Sequence, residues 1–434
     1  MTISPLDYRY GRNEAKHIWS REGRHSRQLE VERALVWAHC QLGRVSAEDY
    51  DVIADIADPG IVTADRVDEI EKETKHDIMA LTKAMAEAAG EAGWCIHLGA
   101  TSNDIVDSAV ALQIKDSIKL QREVLHQLIS TLCDIAIRER DTVMLGRTHG
   151  QAASPVTLGK EIMVFVERLQ IQKDALANSV YAAKFGGATG GFNAHKVAYP
   201  NVDWVSFGNS FVEANLGLHR SKVTTQIEHY DYLAAWCDAL RRAHTVMIDL
   251  DRDVWTYISL DYFKQKIVKG EVGSSAMPHK VNPIDFENSE GNFGVANAML
   301  QHFAEKLPIS RMQRDLTDST VLRNVGVPLG HAIIALKSLQ KGLGKLLLNE
   351  SALKAALEAN WAVVSEGVQT ILRREGYPKP YEVLKALTRT GEAITAETMS
   401  NFINTLDVSD SVKAELKAIT PSSYTGYSES LALD

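Results

Sequence analysis

A short polar segment, Gly273 to Pro283, carries a dense set of side chains that could do chemistry. It holds the hydroxyl groups of Ser274 and Ser275, the ammonium group of Lys280 and the amide of Asn282. Because Lys280 and Asn282 are two residues apart, an extended backbone directs both to one side, where they could bind one carboxylate. Ser274 is a candidate for proton transfer. The alternative is an ordinary surface turn rich in glycine and proline.

Two glycine-flanked segments offer further polar groups. Thr101 and Ser102 stand just before a helix predicted to start near Ile105, and the free backbone N–H groups of a helix start favour an anion. The alternative is an ordinary helix cap. His149, next to Gly150 at a junction between helices, could reach a cavity. A lone histidine can equally have a purely structural role.

A third set of candidates consists of charged residues. Arg314 and Arg323 with Ser319 could clamp a phosphate, because guanidinium groups bind phosphate through paired hydrogen bonds. The alternative is a helix with salt bridges from these arginines to nearby aspartates. Lys75-His76-Asp77 end a charged run that begins at Glu69. His76 could also be an ordinary solvated histidine.

Long helices must position these groups. No proline falls between Pro59 and Pro155 or between Pro200 and Pro278, and strand patterns are almost absent, which predicts an all-α fold. The predicted helices are 25–43, 46–57, 63–89, 105–140, one after Pro155, 224–258, 284–300 and 328–349. We predict three domains: an N-terminal domain (1–97), a central long-helix bundle (98–345, with the loop 273–283) and a C-terminal helical domain (346–434).

The apolar spacing within the central helices predicts buried seams. Examples are Leu125, Leu128, Leu132 and Ile135 in one helix. We expect the helices to have about 30–35 residues each, or about 45–50 Å. A bundle of such long helices is thin and leaves apolar faces exposed unless subunits associate. This predicts an oligomer. The glycines of 185–192 follow no strand, so this segment is interpreted as a mobile loop rather than a dinucleotide site.

Composition excludes several classes of function. The net charge of −9 argues against nucleic-acid binding, and no apolar run is long enough to span a membrane. The four cysteines are scattered without a C-x-x-C pair, which argues against a zinc site or disulfide framework and indicates a reducing compartment. Without an apolar N-terminal signal, the chain is expected to be cytoplasmic. No metal or other cofactor is expected.

Several separated motifs resemble one family. They are Arg9-Tyr10, Lys75-His76-Asp77, the segments 146–151 (GRTHGQ) and 224–228 (TTQIE), Pro278-His279-Lys280, and 313–323 (QRDLTDSTVLR). In these motifs the chain resembles the fumarase/aspartase superfamily and, within it, the adenylosuccinate lyases. Tyr8 and Ala152 depart from the usual pattern, at positions without a proton-transfer role.

The resemblance implies an all-α, three-domain fold and a homotetramer in which three subunits line each active site. It also implies a purine nucleotide substrate. Fumarate would be eliminated from adenylosuccinate, leaving AMP, and from the succinylated aminoimidazole-carboxamide ribotide (SAICAR), leaving AICAR.

The resemblance also assigns roles to residues. Ser274 would be the base and His149 the acid, with Glu287 holding the imidazole. Lys280 and Asn282 would stabilise the negative charge that develops on the succinyl group. The positions implied for substrate binding are Arg9, Tyr10, Lys75, His76, Asp77, Thr101, Ser102, Gln226, Lys280, Val281, Asn282, Arg314, Ser319 and Arg323. Physical reasoning alone does not separate Ser274 from Ser275.

Three other interpretations stay open. The chain could be another superfamily lyase acting on a different succinyl amine or on a muconate that cyclises. It could reuse the lyase scaffold without turnover, or be a helical scaffold with no site. The joint presence of Ser274, Lys280, Asn282, His149 and Glu287 favours an enzyme.

Overall fold

The computed structural model describes residues 4–266, 280–388 and 393–433. These residues are mostly helical, which confirms the all-α prediction. The α-helices in the described ranges are α1 Asn13–Trp19, α2 Arg21–Gln41, α3 Ala47–Ile56, α4 Ala64–Thr74, α5 Asp77–Ala89, α6 Ser102–Arg138, α7 Leu158–Ala177, α8 Asn193–Ala198, α9 Trp204–Asn209, α10 Asp231–Ser259, α11 Ile284–Lys306, α12 Thr317–Leu322, α13 Gly326–Leu343, α14 Glu350–Glu358, α15 Ser365–Arg374, α16 Pro380–Thr388, α17 Ala396–Thr405, α18 Asp410–Lys417 and α19 Ser428–Leu431. Among them, none is both long and apolar enough to cross a membrane.

Strands are short and few in the described ranges, as predicted. They are β1 Val143–Met144, β2 Arg147–Thr148, β3 Gln151–Ala152, β4 Val156–Thr157, β5 Ala182–Ala183, β6 His219–Arg220, β7 Phe263–Gln265 and β8 Leu346–Leu348. The antiparallel pairs are β1 with β4, β2 with β3, and β7 with β8, whereas β5 and β6 are parallel. These pairs anchor connections between helices and form no extended sheet.

Residue contacts divide the chain into two compact units. Unit 1 comprises Met1–Leu125, Gln172–Thr245 and Ser289–Lys337, and unit 2 comprises His126–Ile171, Val246–Asn288 and Ser338–Asp434. Helices α6, α7, α10, α11 and α13 contribute residues to both units. The division into three domains stays a prediction.

The core of unit 1 joins aliphatic and aromatic side chains. Leu29 and Leu35 of α2 are fully buried, together with aromatic residues from the segment that follows β5. In that segment the Phe185 ring lies 5.4 Å from Phe207 and 5.1 Å from Phe211, measured between ring centroids. Phe185 is only 2% exposed. The prediction of a mobile loop over 185–192 therefore does not fit, because this segment is anchored in the core.

The C-terminal part of unit 2 has its own apolar core. Val368 and Leu372 of α15 are fully buried and belong to one cluster with Ile403 of α17 and Leu416 of α18. The period of three to four residues between buried positions is the one that an amphipathic helix requires. The helical character predicted for this end of the chain is confirmed in its described residues.

The predicted helical seams are confirmed residue by residue. Leu125, Leu128, Leu132 and Ile135 of α6 are at most 9% exposed. The apolar side chains at helical spacing in the next two long helices are equally buried: Leu158, Ile162, Phe165 and Leu169 of α7, and Leu233, Cys237, Leu240, Met247, Leu250 and Val254 of α10. The predicted lengths were less accurate. Helix α6 has 37 residues and α10 has 29, but α7 has 20 and α11 has 23. A stretch without proline permits a long helix but does not require one.

Three predicted boundaries were wrong. The helix predicted over 63–89 is two helices, because Lys75 adopts a left-handed conformation with φ 53° and ends α4. The helix predicted from Thr224 begins only at Asp231. The helix predicted to reach 349 ends at Leu343, before Gly344 and β8.

Candidate active site

A pocket of about 450 Å³ in unit 1 gathers many of the residues predicted from sequence. Its walls come from α2, from the junction of α4 and α5, from the first turns of α6 and from the segment around α12. The predicted residues that line it are Lys75, His76, Asp77, Ser102, Arg314, Ser319 and Arg323. A cavity of this size and polarity is suited to a small polar ligand.

The junction of α4 and α5 forms one wall. The N–H of Lys75 donates to the carbonyl of Glu71 over 2.8 Å and closes α4. His76 then caps α5, because its Nδ1 accepts a hydrogen bond from the N–H of Met79 over 3.4 Å. The same ring nitrogen lies 3.5 Å from the Asp77 carboxylate. His76 is well exposed, but it also has a defined capping role on the pocket wall.

The turn before α6 is fixed by a buried carboxylate. Asp104 accepts a hydrogen bond from the N–H of Thr101 over 2.8 Å, and its own N–H donates to the Thr101 carbonyl. Its oxygens also accept from the N–H groups of Gly186 and Gly187, both over 3.2 Å. Lys184 completes the arrangement with an ion pair of 2.6 Å, and both charged side chains are fully buried. Ser102 is thereby held at the pocket.

A second buried carboxylate holds the segment before α10. Asp107 accepts hydrogen bonds from the N–H of Glu228 over 2.8 Å and from the hydroxyl of Tyr230 over 2.9 Å. These bonds compete with helix formation, which explains why α10 starts late. Burial raises the pKa of Asp107 to about 7, although these donors act in the opposite direction.

The segment around α12 contains both predicted alternatives. Arg314 lies 3.6 Å from Asp318 and donates a hydrogen bond of 3.3 Å to the side chain of Gln226. The salt-bridge interpretation therefore fits Arg314. Arg323 instead donates to the hydroxyl of Ser319 over 3.4 Å, and no carboxylate of the described residues lies within 4 Å of it. Arg323 and Ser319 are therefore available to an anion.

His149 occupies the tip of a β-hairpin in unit 2. Strands β2 and β3 pair through Thr148 and Gln151, so His149 and Gly150 form the two-residue turn. Their φ angles are 53° and 74°, both in the left-handed region that such a turn needs. The hairpin presents an exposed imidazole at its end. The glycine after His149 was a sequence signal for this turn. Sequence analysis predicted only a junction between helices here, and did not predict the β-hairpin.

The described end of the loop 273–283 begins at Lys280 and leads into α11. Lys280 and Val281 are exposed, and the carbonyl of Val281 accepts a hydrogen bond from Gln265 over 3.1 Å. Asn282 is half-buried. Glu287 lies in the first turn of α11, as predicted, and accepts a hydrogen bond of 3.1 Å from the indole of Trp255. Within the described residues of this one chain, no hydrogen bond or ion pair joins Glu287 to His149.

Comparisons with known proteins agree over nearly the whole chain. A lyase family model matches residues 9–298, and a model described as adenylosuccinate lyase C-terminal matches 310–425. An adenylosuccinate lyase of Dictyostelium discoideum is 53% identical, with 84% of this chain and 81% of that protein aligned. One of Escherichia coli strain K12 is 45% identical, with 98% and 96% aligned. The chain belongs to the adenylosuccinate lyase family.

Solved structures of low sequence identity share its fold. A 3-carboxy-cis,cis-muconate lactonizing enzyme from Pseudomonas putida has a TM-score of 0.82 at 21% identity, over 99% of this chain and 97% of that one. A fumarate lyase from Mesorhizobium has the same TM-score at 21% identity, over 98% and 97%. At this level of identity the likeness establishes only the fold that the chain shares with these two enzymes.

Not every residue predicted from the adenylosuccinate lyase motifs lies at the pocket. Arg9 and Tyr10 form a short exposed turn in which the guanidinium stacks 4.9 Å from the ring centroid, and neither lines the cavity. Thr101 and Gln226 do not line the pocket themselves. Thr101 directly precedes the lining residue Ser102, and Gln226 accepts a hydrogen bond from the lining residue Arg314. Ser274 lies outside the described residues. The roles of all these residues stay predictions.

Three charged residues of the pocket were missed from sequence. Arg24 of α2, Glu71 of α4 and Asp318 of α12 all line the cavity. Asp318 could have been found, since it stands four residues after Arg314 and was considered only as its salt-bridge partner. Arg24 lies in a helix with several other arginines, and nothing in its sequence context distinguishes it from them.

Proposed function

We propose that this protein cleaves adenylosuccinate into AMP and fumarate, and that it removes fumarate from SAICAR in the same way. The main support is one pocket that combines the polar turn at Ser102 and the junction at His76 with the Ser319–Arg323 pair. The first two can bind the succinyl part of a substrate, and the third can bind a phosphate. Membership of the adenylosuccinate lyase family agrees with this chemistry.

The proposed reaction is a β-elimination. Ser274 removes a proton from the carbon beside one succinyl carboxylate, whose two oxygens then carry the additional negative charge. Lys280 and Asn282 stabilise this charge. The carbon–nitrogen bond breaks, and His149 gives a proton to the leaving nitrogen. Each proton-transfer group would contribute about 10²–10⁴-fold to the rate.

The assembly proposed for this reaction is a cytoplasmic homotetramer in which subunits share active sites. One supporting observation is that no hydrogen bond or ion pair joins His149 to Glu287 in the described residues of a single chain, although the proposed chemistry needs them together. A second is a set of apolar side chains on long helices that are 40–58% exposed: Ile137, Val164, Ile171, Trp255 and Val295. Neighbouring copies would cover such residues.

Incubation of the purified protein with adenylosuccinate tests the proposal. Ultraviolet absorbance follows AMP, and a separate measurement of fumarate should give an equal amount. A panel with SAICAR, other succinyl amines and a carboxymuconate compares the rival interpretations. Lactone formation without fumarate release would favour a cycloisomerase, and no product from any compound would favour an inactive scaffold.

A further inference from the structure

Three arginines follow one another at a spacing of three residues along α2. The outer two, Arg21 and Arg27, are held by ion pairs: Arg21 with carboxylates of α4 at 2.6 and 2.7 Å, and Arg27 with carboxylates of α2 and α6. The guanidinium of Arg24, between them, has no hydrogen bond or ion pair with any part of the chain that the structure describes. Yet Arg24 is the one that lines the pocket.

The surroundings of Arg24 are electrostatically unbalanced. Its side chain is half-buried, and burial lowers its pKa, while Asp77 raises the pKa and Arg323 lowers it. Asp77 lies beside His76 and makes no ion pair with Arg24. A partly desolvated cation without a counter-ion is unfavourable, and a second cation nearby adds to the cost. An anionic ligand would remove this cost.

Three cations of the pocket wall have no carboxylate partner within the described residues. Arg24, Lys75 and Arg323 all lie more than 4 Å from every carboxylate in the described residues, whereas Arg314 is paired with Asp318. The carboxylates of Glu71 and Asp77 also line the pocket, so these three cations leave a net positive charge that suits an anionic ligand. Next to Arg323 lies the hydroxyl of Ser319, a neutral group that can also donate to phosphate oxygen.

We infer that Arg24 is a further ligand-binding residue of this pocket and that, with Arg323, it holds the phosphate group of the nucleotide. This inference rests on the proposed function, which supplies the phosphate. Two guanidinium groups give the flat, paired donors that fit the oxygens of a phosphate dianion. The alternative source of an oxyanion is a succinyl carboxylate, and the experiment separates the two.

The test uses Arg24→Gln in the full-length protein, with Arg33→Gln as the matched control. Arg33 lies on the same helix, is exposed and does not line the pocket. AMP and inorganic phosphate are titrated into each protein by calorimetry, and fumarate is measured as an inhibitor of turnover. Loss of a charge-assisted hydrogen bond should weaken AMP and phosphate binding by about 10- to 100-fold. The inhibition constant of fumarate should not change, and Arg33→Gln should resemble the wild type.

Other outcomes have definite meanings. Unchanged AMP affinity in Arg24→Gln overturns the inference, as does weakening by the same factor for AMP and fumarate. Weakening for fumarate alone would assign Arg24 to the succinyl carboxylates and overturn the phosphate assignment. Circular dichroism checks folding, and Arg24→Lys, which keeps the charge, should lose less affinity than Arg24→Gln. If the wild type binds AMP but releases no fumarate from adenylosuccinate, the proposed function fails while the calorimetric test of Arg24 still holds.

Discussion

At the scale of single residues, the backbone at His149 is as informative as its imidazole. A residue other than glycine in the left-handed region costs about 1–2 kcal/mol, and such strain is concentrated at functional sites. In this hairpin the left-handed conformation of His149 places its exposed imidazole at the tip of a two-residue turn. A structural histidine would be expected to have buried partners, and His149 is exposed.

Replacement of His149 by asparagine separates chemistry from folding. Asparagine tolerates the left-handed conformation, so the hairpin and the melting temperature should be retained. Turnover of adenylosuccinate should fall by about 10²–10⁴-fold, because the proposed acid is lost. Steady-state kinetics and a thermal melt check both parts. His302→Asn, at an exposed position on α11, is the control, and a His149→Asn variant with a normal kcat would disprove the assignment of the acid.

At the scale of elements, the buried ion pair Lys184–Asp104 links the glycine-rich segment to the start of α6. Removing one partner leaves an uncompensated buried charge, which costs about 3–5 kcal/mol. Lys184→Met should therefore lower the free energy of unfolding by about this amount, as measured with urea. The double variant Asp104→Asn, Lys184→Met should lose less than the sum of the single variants. Additive losses would mean that the two groups do not interact.

Helices α10 and α11 are joined by a histidine that folding keeps neutral. His244 is fully buried, its Nδ1 lies 2.9 Å from the side-chain oxygen of Asn297, and burial lowers its pKa to about 4. Because the pKa in the folded state is below the unfolded value of about 6.5, this group adds stability above pH 6.5. That contribution is lost as the pH falls from about 6.5 to 4.

We therefore expect acid to weaken the wild type more than His244→Gln. The difference in unfolding free energy lost between pH 7 and pH 4 should approach about 3 kcal/mol, since each pKa unit corresponds to about 1.4 kcal/mol. Urea denaturation at several pH values measures it. His126→Gln, at an exposed position on α6, should follow the wild-type curve. Parallel curves for wild type and His244→Gln would contradict this account.

At the scale of the whole molecule, the proposed shared sites predict complementation between inactive variants. His149→Asn and Lys280→Ala should each have little activity alone. When the two are mixed, denatured and refolded together, some sites would receive an intact His149 from one subunit and an intact Lys280 from another. Activity should then reappear, while sedimentation should give four copies for each protein. No recovery from correctly assembled mixtures would place each site within one chain.

Much of this organisation could be predicted from the sequence because its causes are local. Buried positions in α6 follow from apolar spacing, and the non-helical residues 280–283 before α11 follow from the polar and helix-breaking side chains there. Motifs such as 313–323 identified the family because they are long. The order and type of elements in the described residues agree with these predictions in most places.

What the sequence by itself determined, therefore, was which faces are buried, which segments are helical and which residue types are available for chemistry. Only the tertiary structure decided that Asp107 accepts the Glu228 N–H and so delays the start of α10. It also decided that Arg24 has no ion pair within the described residues, whereas Arg21 and Arg27 do. These outcomes depend on groups far apart in the chain. A local sequence pattern shows which interactions a side chain could make. A hydrogen bond or an ion pair also requires a partner group, and the fold determines which partner group lies near.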